Sequence, residues 1–236
     1  MGASEPTAPG PEAGVVLLDK PEGISSHAAV SAARRRHGGV KAGHAGTLDP
    51  FATGLLIVLL RREATREQAR FVELEKTYLA RAHLGARSST GDPTGEIIET
   101  GRMPAEPLEL PTGRIEQIPP AYSAIKVGGR RAYKRARAGE TVSMPPRLVD
   151  VHRFELRGRE TDPPGDQAEF EIECSSGTYV RSLISGLGDA YCLALRRTRI
   201  GPFDVAEADS DHVIPIAEAL ERVSAHASPA ARVRRR

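Results

Sequence analysis

The chain has 236 residues, 39% of them hydrophobic, and a formal net charge of +2. That length can bury one substantial core with room for a small second module, and so small a net charge leaves any attraction for polyanions to local patches. No apolar run reaches the length of a membrane span, and the first dozen residues (MGASEPTAPGPE) lack a basic start and an apolar stretch, which excludes a secretory signal and implies a cytoplasmic protein. Cys174 and Cys192 have no CxxC partner and no histidine spacing that would hold zinc, so neither a disulfide framework nor a metal site is expected.

In chain order, GVVLLDKP (Gly14 to Pro21) predicts a short apolar strand. SSHAAVSAARRR (Ser25 to Arg36) predicts a helix opened by serine caps and closed by His37-Gly38-Gly39. GHAGTLDPFATG, from Gly43 to Gly54, then sets Asp49 among three glycines, a histidine and a proline. As a bare dipeptide Asp-Pro reads as a helix start, with the carboxylate as N-cap and proline at the first helical position. EATREQARFVELEK has helix-forming composition, and TYLARAHL alternates so that Tyr78, Ala80, Ala82 and Leu84 share one strand face.

KVGGRRAYKRAR, from Lys126 to Arg137, holds six cations and no acid. Interleaved with Tyr133 and Gly128-Gly129, these cations suit a mobile arm that meets phosphate and ribose. AEFEIEC predicts a half-buried strand with Phe170, Ile172 and Cys174 inward. SSGTYVRSLISGLGDAY predicts a helix capped by Ser, Gly and Thr, with Arg181 in its first turn. The helix dipole disfavours a cation there, so a negative group nearby is expected. IPIAEALERV gives one more helix, and the chain ends in ARVRRR, which reads as a solvated tail.

Asp49 among glycines, Tyr78 on an apolar strand face and Arg181 at the unfavourable helix end are all accounted for by a site with a carboxylate nucleophile. Such a carboxylate must stay ionised to attack, and an adjacent arginine holds it so. Glycines let a bulky substrate approach the backbone, and a tyrosine stacks on a flat ring or moves a proton.

These residues resemble the bacterial TruB-type tRNA pseudouridine synthases, which act at uridine 55 of the T loop. GHAGTLDPFATGLL is similar to the family's catalytic block, which implies Asp49 as the nucleophile and His44 as the residue that fills the stack when the uridine leaves it. LEKTYLARAHLG implies Tyr78 against the target base. CSSGTYVRSL implies Tyr179 in the site and Arg181 as the partner of the nucleophile. LALRRTRIGPF implies Leu195 near the base, on a loop that is contracted here because GDAYCLALRR replaces a longer stretch. Arg61-Arg62 stand where the family commonly has glycine. QIPPAYSAIKVGGRRAYKRARAG resembles the start of an RNA-gripping thumb, which implies Lys126, Arg130, Arg131, Lys134 and Arg135 as RNA contacts.

The resemblance implies an α+β pseudouridine synthase fold, a mixed and largely antiparallel sheet flanked by helices. It implies a tail over 1–12, a catalytic domain over 13–206 with the thumb at about 124–150, and a C-terminal helix and basic tail over 207–236 in which a PUA domain is absent or a remnant. The reaction is an isomerisation without a redox step, so no cofactor or metal is expected. The expected partner is the T arm of tRNA, bound by a monomer that needs no protein partner and no membrane. Two alternatives stay open: a non-catalytic tRNA-binding and refolding factor, and a guide-RNA-dependent pseudouridine synthase subunit.

Overall fold

The computed structural model describes residues 12–123, 125–160 and 166–226. The ARVRRR end and all of the expected N-terminal tail but Glu12 lie outside the described residues. In chain order the elements are β1 (Gly14–Lys20), α1 (Ser26–Arg36), β2 (Ala42–His44), β3 (Thr53–Leu60), α2 (Arg61–Arg66), α3 (Gln68–Val72), β4 (Lys76–Leu84), β5 (Ala86–Ser88), β6 (Ile97–Glu99) and β7 (Gly113–Gln117). They continue with β8 (Lys126–Val127), β9 (Arg130–Arg131), α4 (Ala132–Arg137), β10 (Arg147–Glu160), β11 (Gln167–Cys174), α5 (Val180–Ser185), β12 (Ala190–Ile200), β13 (Phe203–Asp204), β14 (Asp209–Pro215) and α6 (Ile216–His226). Two compact units result, the first from residues up to Leu74 together with those from Thr198 onward, the second from Glu75–Arg197. No helix among the described residues is long and apolar enough to cross a membrane.

In the first unit β1 runs antiparallel to both β3 and β14, and β2 pairs with β3. β3 is apolar on both faces because both are covered. Leu55, Ile57 and Leu59 join a cluster with Ala219 and Val223 of α6, while Leu56, Val58 and Leu60 join another with Ala29, Val30 and Ala33 of α1. β14 lies so close to Gly14 that a Cβ there would sit 2.3 Å from the Ile214 carbonyl oxygen. Helix α1 starts as its sequence predicts, with the Ser25 hydroxyl accepting the Ala28 N–H. The stretch EATREQARFVELEK does not form one helix: it breaks at Glu67, where ψ is 4°, and Lys76 at its end already belongs to β4.

In the second unit β4, β11, β10 and β7 form successive antiparallel pairs. The alternation of TYLARAHL is realised: Tyr78, Ala80, Ala82 and Leu84 are buried, and Leu79 and Arg81 are exposed. His83 is also buried, stacked on Tyr191 with ring centroids 5.1 Å apart. Phe170, Ile172 and Cys174 point inward from β11. Strand β10 has no counterpart in the sequence reading, because register shifts between Val151 and Arg153 and between Leu156 and Gly158 move its buried side chains out of simple alternation. β5 with β6, and β8 with β9, make two separate antiparallel hairpins.

Candidate active site

Asp49 does not cap a helix. Its carbonyl accepts the Ala52 N–H at 3.1 Å, closing a tight turn, and the chain goes straight on into β3. This turn is pinned on both sides. The buried Ser26 hydroxyl donates to the Leu48 carbonyl at 2.9 Å and accepts the Leu48 N–H at 2.8 Å. On the other side the Pro50 carbonyl accepts from Gly23 N–H at 2.8 Å and from Lys20 Nζ at 3.3 Å. Lys20 is 1% exposed, and its ammonium also donates to the carbonyls of Pro21 and Ile24, one acceptor for each of its three protons. The half-buried Asp49 side chain is therefore carried on a backbone that cannot drift. His44 ends β2, opposite Val58, with its carbonyl accepting from Gln68 Nε2 at 2.6 Å.

In the second unit Arg181 lies in the first turn of α5 and is 3% exposed. The negative group that its position requires within this unit is Asp92, whose Oδ2 lies 3.0 Å from Arg181 Nη1. Arg181 also donates to the carbonyls of Thr90 at 2.6 Å and Tyr122 at 2.9 Å. Asp92 is itself fixed, because its Oδ1 accepts from Thr90 Oγ1, Thr94 Oγ1 and Thr94 N–H at 2.7, 2.5 and 3.0 Å. A helix start that carries a cation is thus neutralised by a carboxylate from the tip of the β5–β6 hairpin.

The predicted Ser, Gly and Thr cap is not what opens α5. The helix starts after Tyr179, without a side-chain cap, and has six residues. The carboxamide of the buried Gln117 instead takes both backbone groups of Tyr179, Oε1 accepting its N–H at 2.8 Å and Nε2 donating to its carbonyl at 3.1 Å. The guanidinium of Arg147 sits 4.9 Å from the centroid of the Tyr179 ring, within cation–π range. Tyr78 is 9% exposed on β4, opposite Ile172. Two further buried cations, Lys76 and Arg197, were not singled out by the sequence. Burial, with Arg197 nearby, lowers the Lys76 pKa to about 8, and burial raises that of Cys174, its register partner, to about 11.

Leu195 stands differently from expectation. Leu195 is buried inside strand β12, not carried on a loop. Ala190–Ile200 run as one continuous strand of 11 residues, so strand geometry fixes the side chain. The segment Lys126 to Arg137 forms the β8–β9 hairpin followed by α4. An acid just beyond it folds back: Glu140 bonds Arg130 at 3.0 Å and Arg135 at 2.6 Å. The Arg135 hydrogen bond, chiefly, holds the Glu140 carboxyl below its ordinary range. Lys126, Arg131 and Lys134 are exposed.

Asp49 and His44 belong to the first unit, and Tyr78, Tyr179, Arg181 and Leu195 to the second. Lys20, Asp92 and Gln117 are the site-building residues that sequence reasoning missed. The TGDPTG stretch around Asp92 carried a signal of its kind, since Asp between threonines and glycines favours a self-bonded turn.

Residues 34–180 match the family described as TruB family pseudouridylate synthase (N terminal domain). Tthe tRNA pseudouridine synthase B of Thermobifida fusca (strain YX) is 44% identical over 232 residues, covering 88% of this chain and 78% of that protein. The tRNA pseudouridine synthase B of Bordetella avium (strain 197N) is 43% identical over 211 residues, covering 83% of this chain and 84% of that one. Among solved structures, a chain of a Cbf5-Nop10-Gar1 complex superposes with a TM-score of 0.59 at 32% identity, over 81% of this chain and 50% of that chain.

Proposed function

The chain belongs to the TruB family of pseudouridylate synthases, and from that membership we propose that it isomerises uridine 55 in the T loop of tRNA to pseudouridine, with Asp49 as nucleophile. The observation that carries this reading is the matched run from 34 to 180, which takes in Asp49, Tyr78 and Tyr179. The reaction breaks the N1–C1′ bond, turns the held ring and closes a C5–C1′ bond. The proton at C5 leaves and N1 gains one, so no oxidant, reductant or co-reactant enters. The pinned turn supports the role of Asp49, because a nucleophile held in a near-attack position removes much of the orientational cost of the step. Tyr78 faces the target ring, and the Arg181 guanidinium favours the ionised state of the attacking carboxylate.

The target base leaves its stack before it reacts, at a cost of about a few kcal/mol, which His44 offsets by taking its place. Tyr179 and Leu195 contact the flipped nucleotide. Recognition follows the shape of the folded T loop, since A-form major grooves exclude side chains. The exposed cations of the β8–β9 hairpin and α4 add phosphate contacts.

The experiment is to incubate the purified protein with T-arm RNA and no other RNA or protein, and to quantify pseudouridine. The wild type forms product at position 55, and Asp49→Asn forms none while its Kd for the RNA stays within about twofold. Product from Asp49→Asn at the wild-type rate would falsify its role as nucleophile. Absence of product from the wild type alone, with activity restored by a guide RNA, would favour a guide-dependent subunit.

A further inference from the structure

The family reading makes no use of Asp189, in the stretch GDAYCLALRR. Its side chain is 6% exposed, yet its two oxygens bind two different arginines. Oδ1 accepts from Arg87 Nε at 2.5 Å and Oδ2 from Arg102 Nε at 3.1 Å. An ordinary surface ion pair contributes little because both partners are solvated. Here the arginines are exposed, with side chains at 61% and 71%, but the carboxylate is withdrawn from water and needs both of them. A Thr100 hydrogen bond, chiefly, and the two guanidiniums hold it below the ordinary carboxyl range against the opposing effect of burial.

Arg87 lies on β5, and Arg102 lies just beyond β6. Asp189 therefore joins the two legs of one hairpin at its base, where the Gly85 N–H also donates to the Asp189 carbonyl at 2.7 Å. Three residues further on, the Cys192 N–H donates to the Gly91 carbonyl at 3.0 Å, fastening the tip of the same hairpin. That tip presents Asp92 to Arg181. A Cβ added at Gly91 would touch Ser185 Oγ at 3.3 Å and Arg181 Cβ at 3.6 Å, so the tip is already seated on α5. Any sliding of the legs moves the Asp92 carboxylate off a bond of 3.0 Å.

We propose that Asp189 is a positioning residue for pseudouridine formation: by joining Arg87 to Arg102 at the base of the β5–β6 hairpin, it holds the Asp92 turn against Arg181. The inference rests on the reading that Arg181 acts in the reaction. It assigns Asp189 an effect on the chemical step, not on RNA affinity.

The test is single-turnover pseudouridine formation, with RNA affinity measured in parallel, for the full-length wild type and for Asp92→Asn, Asp189→Asn and the double variant. Asp189→Asn lowers the rate constant about tenfold and leaves Kd within about twofold. The double variant is no slower than Asp92→Asn alone, because Asp189 acts through Asp92. A second arm leaves the buried carboxylate in place: the double variant Arg87→Ala/Arg102→Ala reproduces the loss seen in Asp189→Asn. Unchanged rates in both arms, or independent and multiplicative losses in the Asp92→Asn/Asp189→Asn variant, overturn the inference. A wild type that makes no pseudouridine fails the reading beneath it, and the inference with it. A wild type that is active and impaired by Asp92→Asn but not by either arm fails the inference alone.

Discussion

Lys20 is a charge put to structural use. An ammonium withdrawn from water is costly unless each proton finds an acceptor, and three carbonyls provide them. Lys20→Met keeps the length of the side chain and leaves Pro21, Ile24 and Pro50 without this donor, at a cost of about 2 kcal/mol. The expected outcome is a lower urea midpoint, and an unchanged midpoint rejects the assignment. The Lys76 and Cys174 pair has a signature in pH. Lys76 has a folded pKa of about 8 against an ordinary 10.5, so between these values the unfolded chain holds more protons and stability rises with pH. Cys174 has a folded pKa of about 11 against 9.0, so between those values the folded chain holds the extra proton and stability falls. Lys76→Met removes the rise that starts near pH 8, Cys174→Ala removes the fall that ends near pH 11, and urea midpoints across that range measure both. Asp49, Tyr78 and Arg181 were legible as residues at odds with their local context. Lys20 and Gln117 were not, because their partners are backbone groups, which no spacing rule encodes, and Asp92 showed only its self-bonded turn, not the distant Arg181 that the turn meets.

Elements were legible where one face is buried in strict period and illegible where the period slips. TYLARAHL and AEFEIEC follow the rule, whereas the bulges of β10 hide a strand of 14 residues. The basic segment fails differently: its composition announces cations, but the acid that engages two of them lies past its end. Arg130 and Arg135 are held on Glu140, which offsets part of the charge they present to any phosphate. Glu140→Gln weakens that hold. The expected result is tighter binding of T-arm RNA at low salt, with a slope of log K against log salt steeper by about 1 to 2, since each added phosphate contact contributes somewhat under one unit. A slope equal to that of the wild type shows that these arginines face no phosphate.

At the scale of the whole molecule, the first unit is built from both ends of the described chain. β14 pairs with β1, and α6 places Ala219 and Val223 in the cluster that holds Leu55, Ile57 and Leu59. The pattern of IPIAEALERV announces a helix but cannot name the core it joins, because that core is made by residues some 160 positions earlier. The same cluster contains Ala45 and the strand that leaves the Asp49 turn, so the seating of α6 and the order of that turn depend on one core. Val223→Ala removes two methyl groups from it, at about 2 kcal/mol, which lowers Tm by about 4–8 °C in a chain of this size. Activity well below that Tm stays near wild type, because the cavity forms without altering the hydrogen bonds that pin the turn. Val223→Asp buries an unpaired carboxylate, a change beyond what a core of this kind absorbs, and the first unit loses its fold. Calorimetry and pseudouridine yield then fall together for Val223→Asp and apart for Val223→Ala. A Val223→Asp protein that melts like the wild type would show that α6 is not part of this core.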